Sequence, residues 1–217
     1  MKKCLEEYST LIFDCDGVVL NSNSVKTEAF YQTALPYGEV AAQSLVDYHV
    51  KNGGISRYKK FKYFLDKIIE PGQVGPSLDE LLSRYATLVR YGLMNCDVAE
   101  GLAELRKRTA SARWLIVSGG DQAELREVFA ARKLKELFDG GIFGSPDTKD
   151  HILTRELKAQ NIIKPALFIG DSKYDYQSAC NAKLDFIFLM NWSEVSNWKQ
   201  WCSENSITFD VSISSLF

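Results

Sequence analysis

The sequence predicts an α/β protein: a doubly wound parallel sheet of about five strands with an inserted helical cap domain. Three observations predict it. Short apolar runs (residues 11–13, 114–117, 141–143, 166–169 and 186–189) alternate with amphipathic stretches of helical period. Between the first run and the second, residues 23–94 read as helix throughout, with no strand pattern. Most of the runs end in polar or glycine-bearing turns, as strands leaving a sheet do. The predicted division is an α/β core of residues 1–22 and 95–217 and a cap of residues 23–94.

The first run, Leu11-Ile12-Phe13, is continuous and apolar, the pattern of a strand buried on both faces. It ends in Asp14-Cys15-Asp16-Gly17, two carboxylates at the sheet edge where open parallel sheets bind ligands. Acids so crowded require a cation, a shared proton or strong hydrogen bonds. Gly17 permits a turn that a Cβ would hinder. Ser22 or Ser24 is the expected N-cap of a helix ending at Pro36. A second helix is predicted over 38–51, closed by Asn52-Gly53-Gly54. In the third, Ile55, Tyr58, Phe61, Phe64, Leu65 and Ile68 form one apolar face, and Arg57, Lys59, Lys60 and Lys62 a solvated one. Pro76-Ser77 opens a fourth, with Leu78, Leu81, Leu82, Tyr85, Leu88 and Val89 as its stripe.

Beyond the cap, Asp97 is expected to cap a helix that turns Val98, Leu102 and Leu105 inward. Run 114–117 ends in Ser118-Gly119-Gly120, and Asp121 with Glu124 is a capping box for the next helix. Lys149 opens a helix after run 141–143. Run 166–169 ends in Gly170-Asp171-Ser172-Lys173-Tyr174-Asp175. Trp192, Trp198 and Trp201 are spaced for packing, not for a recognition ladder, and the pattern assigns residues 207–211 to no clear element.

Composition excludes several classes. A formal charge of −2 with no long run of like charge gives neither a nucleic-acid footprint nor a basic membrane surface. No apolar run approaches the ~20 residues that span a bilayer, and the N-terminal stretch has no apolar leader segment, so a cytoplasmic monomer or homodimer is expected. The five cysteines lack paired spacing and read as reduced thiols. Between two acids, a Cys15 thiolate is disfavoured. His49 and His151 show no partner pattern and are expected to be structural or exposed.

In a parallel sheet the strand ends share one edge, so Asp14, Asp16, Ser118, Gly119, Lys149, Asp171 and Asp175 can converge. Four carboxylates call for a divalent cation with oxygen ligands, Mg²⁺ being the usual one. A Ser-Gly-Gly turn before a helix suits a phosphate, and a lysine adds a point charge. The set describes metal-assisted phosphoryl transfer.

The order and placement of these residues resemble the haloacid dehalogenase-like (HAD) superfamily. Its first motif is matched by Phe13-Asp14-Cys15-Asp16-Gly17-Val18, its second by Ile116-Val117-Ser118-Gly119, its third by Lys149 and its fourth by Gly170-Asp171-Ser172-Lys173-Tyr174-Asp175. The cap position is similar to the C1 class, which includes phosphoglycolate phosphatases and β-phosphoglucomutases. The resemblance implies a Mg²⁺-dependent phosphatase acting on a small phosphorylated metabolite, a sugar phosphate or phosphoglycolate-like ester. By it, Asp14 is the nucleophile that forms an aspartyl-phosphate and Asp16 the proton carrier. Ser118, Gly119 and Lys149 hold the phosphoryl oxygens. Asp14, the Asp16 main-chain carbonyl and Asp171 bind the metal, with Asp175 bound or supporting. Asp16 favours phosphate esters over carbon–halogen bonds. The lysine departs from the family pattern in not directly preceding a proline, and Lys173 is its rival. In the cap, Ser56 and Arg57 are candidates to read the leaving group from a Gly53–Gly54 turn that dips toward the core. A phosphomutase, a phosphonate hydrolase using a cap lysine and a non-catalytic phosphate-accepting module stay open as alternatives.

Overall fold

The computed structural model describes residues 4–217; the first three residues of the predicted core lie outside it. Six strands form one parallel sheet: β1 (Thr10–Phe13), β2 (Arg113–Asp121), β3 (Gly141–Ser145), β4 (Ala166–Gly170), β5 (Asp185–Leu189) and β6 (Thr208–Asp210), in the order β3-β2-β1-β4-β5-β6. The sixth strand comes from the 207–211 segment and raises the expected count by one. It is short and lies on the sheet edge, with Phe209 half exposed, so it lacks the apolar run that marks a central strand. β1 is central, flanked by β2 and β4, and the chain winds outward from it in both directions. Its carboxyl end is therefore the switch point where ligands bind.

Alternate residues of the central strands enter two different cores. Leu11 and Phe13, Trp114 and Ile116, and Leu167 and Ile169 pack on one face. Ile12, Leu115, Val117 and Phe168 pack on the other, against Ile152 and Leu153 of α7 (Lys149–Lys158) and Ala179 of α8 (Lys173–Asn181). The first face is covered by α5 (Leu102–Arg108) and α6 (Gln122–Ala131). At the far edge, Trp201 and Cys202 of α9 (Trp198–Glu204) bury against Phe188 and Ile207, so the tryptophan-rich stretch packs as expected.

The inserted cap is all helix: α1 (Asn23–Ala34), α2 (Glu39–Lys51), α3 (Arg57–Tyr63, continued by a π-helical turn over Phe64–Ile68) and α4 (Leu78–Asn95). Its centre is aromatic. Phe30 lies 4.3 Å from Tyr85 and 5.2 Å from Phe61 between ring centroids. In α4 the buried residues are Leu81, Tyr85, Val89 and Leu93, spaced by four, while Leu88 is 38% exposed and leaves the expected stripe. In α3 the buried face is Arg57, Lys60, Phe61 and Phe64; Tyr58 is exposed. The basic face is thus split, with Lys59 and Lys62 solvated and Arg57 and Lys60 buried.

Asp97 does not cap a helix. Val98 bridges to Leu20 and the Ala99 amide donates to the Val19 carbonyl, which holds 97–99 extended. The helix begins only at Leu102, after Gly101 adopts φ 84°. No helix among the described residues is long and apolar enough to cross a membrane.

Candidate active site

Asp14 is the first residue beyond β1, and its amide still donates to Ile169, extending the β1–β4 pairing to the site. Its Oδ1 accepts from the Cys15 amide at 2.7 Å, and the Lys149 Nζ lies 2.9 Å from its Oδ2. Gly17 has φ +72°, and a Cβ there would sit 2.0 Å from Asp171 Oδ2. Only glycine lets the motif-one loop fold so tightly against the fourth strand end.

Lys149 is the first residue of α7, whose N-cap Thr148 accepts from the His151 amide. Its ammonium is buried and pairs with Asp14 and Asp175. The Asp175 carboxylate is heavily engaged. Oδ2 accepts from the Asp171 and Ser172 amides at 3.2 and 3.0 Å and from the Ser172 hydroxyl at 2.7 Å, while Oδ1 takes Lys149. Asp175 therefore completes the capping box of α8 with its N-cap Ser172 and fixes the lysine in one arrangement. Lys173, the rival, instead donates to Asn197 at 3.1 Å.

Asp14, Asp171 and Asp175 each place a carboxylate oxygen within 4.8 Å of the others, and all three residues are buried. One lysine does not balance three acids. Burial pushes the Asp14 carboxyl up to about 7; Lys149 opposes this, while the charges of Asp175 and Asp16 add to it. Burial, then the charges of Asp175 and Asp14, push Asp171 well above the usual carboxylate range. Asp171 Oδ2 accepts from Asn23 Nδ2 at 2.7 Å, and its other oxygen accepts from none of the described residues. Crowded hard oxygens carrying unbalanced negative charge fit a divalent cation.

Asp16 faces another way. Its Oδ1 accepts from the Ser22 hydroxyl at 2.6 Å, and its Oδ2 pairs with the Lys26 ammonium, one helical turn after Ser22 in α1. Burial works against the Asp16 carboxylate, but the Lys26 charge and these hydrogen bonds outweigh it and hold the carboxyl below its ordinary value. The two motif-one acids thus sit in opposite electrostatic environments. Cys15 between them is inert: burial first, then the Asp16 charge, pushes its thiol well above the usual range.

Strand β2 runs on to Asp121, past the expected stop at Val117. Its register against β3 shifts between Val117 and Asp121, leaving Ser118-Gly119-Gly120 outside the regular ladder. Ser118 Oγ accepts from the Gly120 amide at 3.0 Å, and its own hydroxyl hydrogen has no acceptor among the described residues. A Cβ on Gly119 would lie 2.1 Å from the Gly54 carbonyl oxygen, so the Gly53–Gly54 turn does reach the core. Asp121 caps α6 through the Glu124 amide at 3.0 Å, but the reciprocal half of the box is missing, because the Glu124 carboxylate is bound by Arg57.

Cap and core line an open cavity of about 740 Å³. Asp14, Asp16, Asp171 and Gly119 form its core-side wall. Ser118, Lys149 and Asp175 stand behind that wall and are buried. On the cap side Arg57 lines the cavity, while Ser56 does not. The sequence reading missed Lys26, His49, Lys60 and Tyr85, which line it too. His49 is buried with Lys60 Nζ 2.6 Å from its Nδ1; His151 is exposed. The spacing Ser22-x-x-x-Lys26 was the available signal for Lys26, since it stacks both side chains on the α1 face toward Asp16.

Residues 11–189 match the family described as haloacid dehalogenase-like hydrolase. No curated relative matches the chain in sequence. Among solved structures, the chain is similar to a hydrolase from Pseudomonas syringae (19% identity, 96% of this chain and 95% of that one, TM-score 0.72). It is also similar to a predicted phosphatase from Clostridium acetobutylicum (16%, 95% of each chain, TM-score 0.68). A third likeness is to CbbY from Rhodobacter sphaeroides in complex with phosphate (17%, 87% and 89%, TM-score 0.65). At these identities the likeness establishes the fold.

Proposed function

The chain belongs to the haloacid dehalogenase-like hydrolase family, and from that membership we propose that it is a Mg²⁺-dependent, cytoplasmic phosphatase of small phosphomonoesters working through an aspartyl-phosphate. The observation that carries this reading is the Lys149 ammonium held between Asp14 and Asp175 behind a three-carboxylate cluster at the end of β1. In this reading residues 23–94 are the cap and the rest of the chain is the catalytic core.

Asp14, Asp171 and the Asp16 main-chain carbonyl would hold the cation, with Asp175 supporting. When bound, the cation supplies positive charge against the acids and the phosphoryl oxygens. Asp14 attacks phosphorus, and its bond to the ester oxygen breaks as the new Asp14–phosphorus bond forms. Lys149, fixed by Asp175, offsets the negative charge beside Asp14. The free Ser118 hydroxyl hydrogen and the Gly119 amide are the donors for the phosphoryl oxygens.

The proton shared by Asp16 and the Lys26 ammonium passes through Asp16 to the leaving alkoxide, and the pair regains one proton from the water that attacks the phospho-enzyme as inorganic phosphate leaves Asp14. With Lys26 at its carboxylate, Asp16 is kept ionised, the state needed to take a proton from the water that later attacks the phospho-enzyme. The Gly54–Gly119 contact supports a closed cap that excludes bulk water from that intermediate. The test is phosphate release from a panel of esters with Mg²⁺, using Asp14→Asn as the control. Turnover by the wild type and loss in the variant supports the reading; equal background rates with every ester contradict it.

A further inference from the structure

Four cationic side chains are buried among the described residues: Lys26, Arg57, Lys60 and Lys149. Lys26 pairs with Asp16, Arg57 with Glu124, and Lys149 with Asp14 and Asp175. Lys60 is the exception. No described carboxylate lies within 4.0 Å of it, although it is only 1% exposed and lines the cavity. Its Nζ contacts are His49 Nδ1 at 2.6 Å, the His49 carbonyl at 3.5 Å and the Phe30 ring at 5.5 Å. A buried lysine without a counter-ion is costly, and natural proteins rarely leave one so.

His49 compounds the imbalance. When the Lys60 ammonium donates to Nδ1, the imidazole carries its own hydrogen on Nε2. That Nε2 is buried and has no partner among the described residues. His49 also lines the cavity. The cap side of the cavity thus holds an ammonium with no described carboxylate within 4.0 Å beside an imidazole unmatched among the described residues, and its core side carries the candidate nucleophile.

We propose that Lys60 and His49 form an oxyanion subsite in the cap, so that the substrate is a phosphomonoester whose leaving group carries a second anionic group, a carboxylate or a phosphate. The anion supplies the counter-charge that Lys60 lacks. Lys26 and Arg57 also line the cavity but are already paired with Asp16 and Glu124. This inference rests on the phosphatase reading for its reaction but not for its binding site.

The experiment compares phosphoglycolate, propanediol bisphosphate and propyl phosphate, which differ in the charge of the leaving group. With Mg²⁺, wild type is expected to favour one or both anionic esters over propyl phosphate by about tenfold or more in kcat/KM, in line with a charge-assisted hydrogen bond. Lys60→Met is expected to bring that ratio toward one. The larger of the two wild-type ratios identifies the carboxylate or the phosphate as the preferred anion. Calorimetric titration of Asp14→Asn with the same esters reads binding without turnover. Equal rates and equal affinities for all three overturn the subsite and leave the phosphatase reading standing. No turnover, but tighter binding of an anionic ester that Lys60→Met abolishes, supports the subsite and overturns the phosphatase reading. Should Lys60→Met fail to fold, His49→Phe, which removes the Nε2 donor, is expected to lower the same ratio, and an unchanged ratio counts against the proposal. An unaltered ratio with a lowered melting temperature in Lys60→Met would make Lys60 a structural strut and overturn it too.

Discussion

Arg57 on cap helix α3 and Glu124 on core helix α6 meet in a two-pronged ion pair across the cap–core boundary, with Nη1 3.1 Å from Oε2 and Nη2 2.5 Å from Oε1. Both side chains are about nine-tenths buried or more, and the guanidinium also lies over the Tyr85 ring at 4.7 Å. Glu124→Ala leaves that guanidinium buried and unmatched, so stability should fall by roughly 3 kcal/mol. Denaturant unfolding measures it. An Arg57→Met, Glu124→Leu double variant closer to wild type than Glu124→Ala would show that the cost is the orphaned charge. A loss under about 0.5 kcal/mol, as at an exposed pair, would mean that the latch does not form.

In the proposed mechanism Lys26 tunes the proton chemistry of Asp16. Its charge holds the Asp16 carboxyl low, so Lys26→Met should move the pH–rate limb controlled by Asp16 to higher pH. The pH profile of kcat/KM for wild type and variant reads this directly. Superimposable profiles would separate Lys26 from the reaction.

The acids around Asp14 repel one another in the metal-free protein. Asp171→Asn removes one of them, so without metal the variant should melt at a higher temperature than wild type. Added Mg²⁺ should raise the wild-type midpoint and leave the variant's nearly unmoved. A variant that is less stable without metal, or that responds to Mg²⁺ as wild type does, would refute the ligand assignment.

Lys60 should leave a mark on stability against pH. Burial first, then the nearby Lys26 charge, lowers its ammonium from the usual lysine range to about 7, with Glu194 and Asp16 opposing. Between that value and the unfolded lysine's pKa the unfolded chain binds the extra proton, so this group's contribution rises with pH across the window. The stability of wild type relative to Lys60→Met should therefore increase from pH 7 toward about 9, within the window below the reference lysine pKa. A flat difference would show that Lys60 keeps its proton without help.

Much of the site was legible because strand ends in a parallel sheet share an edge. Asp14, Ser118, Lys149, Asp171 and Asp175 each follow an apolar run, so their convergence required only the topology. The cap polar residues were not legible for a different reason. Phe61 and Phe64 belong equally to the face containing Tyr58 and to the face containing Arg57 and Lys60, and local period cannot choose between them. The choice is made by packing: α3 lies against α4 and places Lys60 beside His49 of α2. Glu124 was read as half of a local cap, yet its partner lies 67 residues away. The edge strand β6 escaped because an exposed three-residue strand has little hydrophobic pattern to show.

The covalent role of Asp14 is the claim on which the rest depends. Wild-type enzyme mixed with Mg²⁺ and the ester it turns over, quenched in acid within a turnover and analysed by peptide mass spectrometry, tests it most directly. The predicted result is the mass of one phosphoryl group on the peptide bearing Asp14, absent from Asp14→Asn, with turnover lost by about a thousandfold or more in that variant. Turnover without an adduct, an adduct on another residue, or an Asp14→Asn enzyme that still hydrolyses the ester would contradict it.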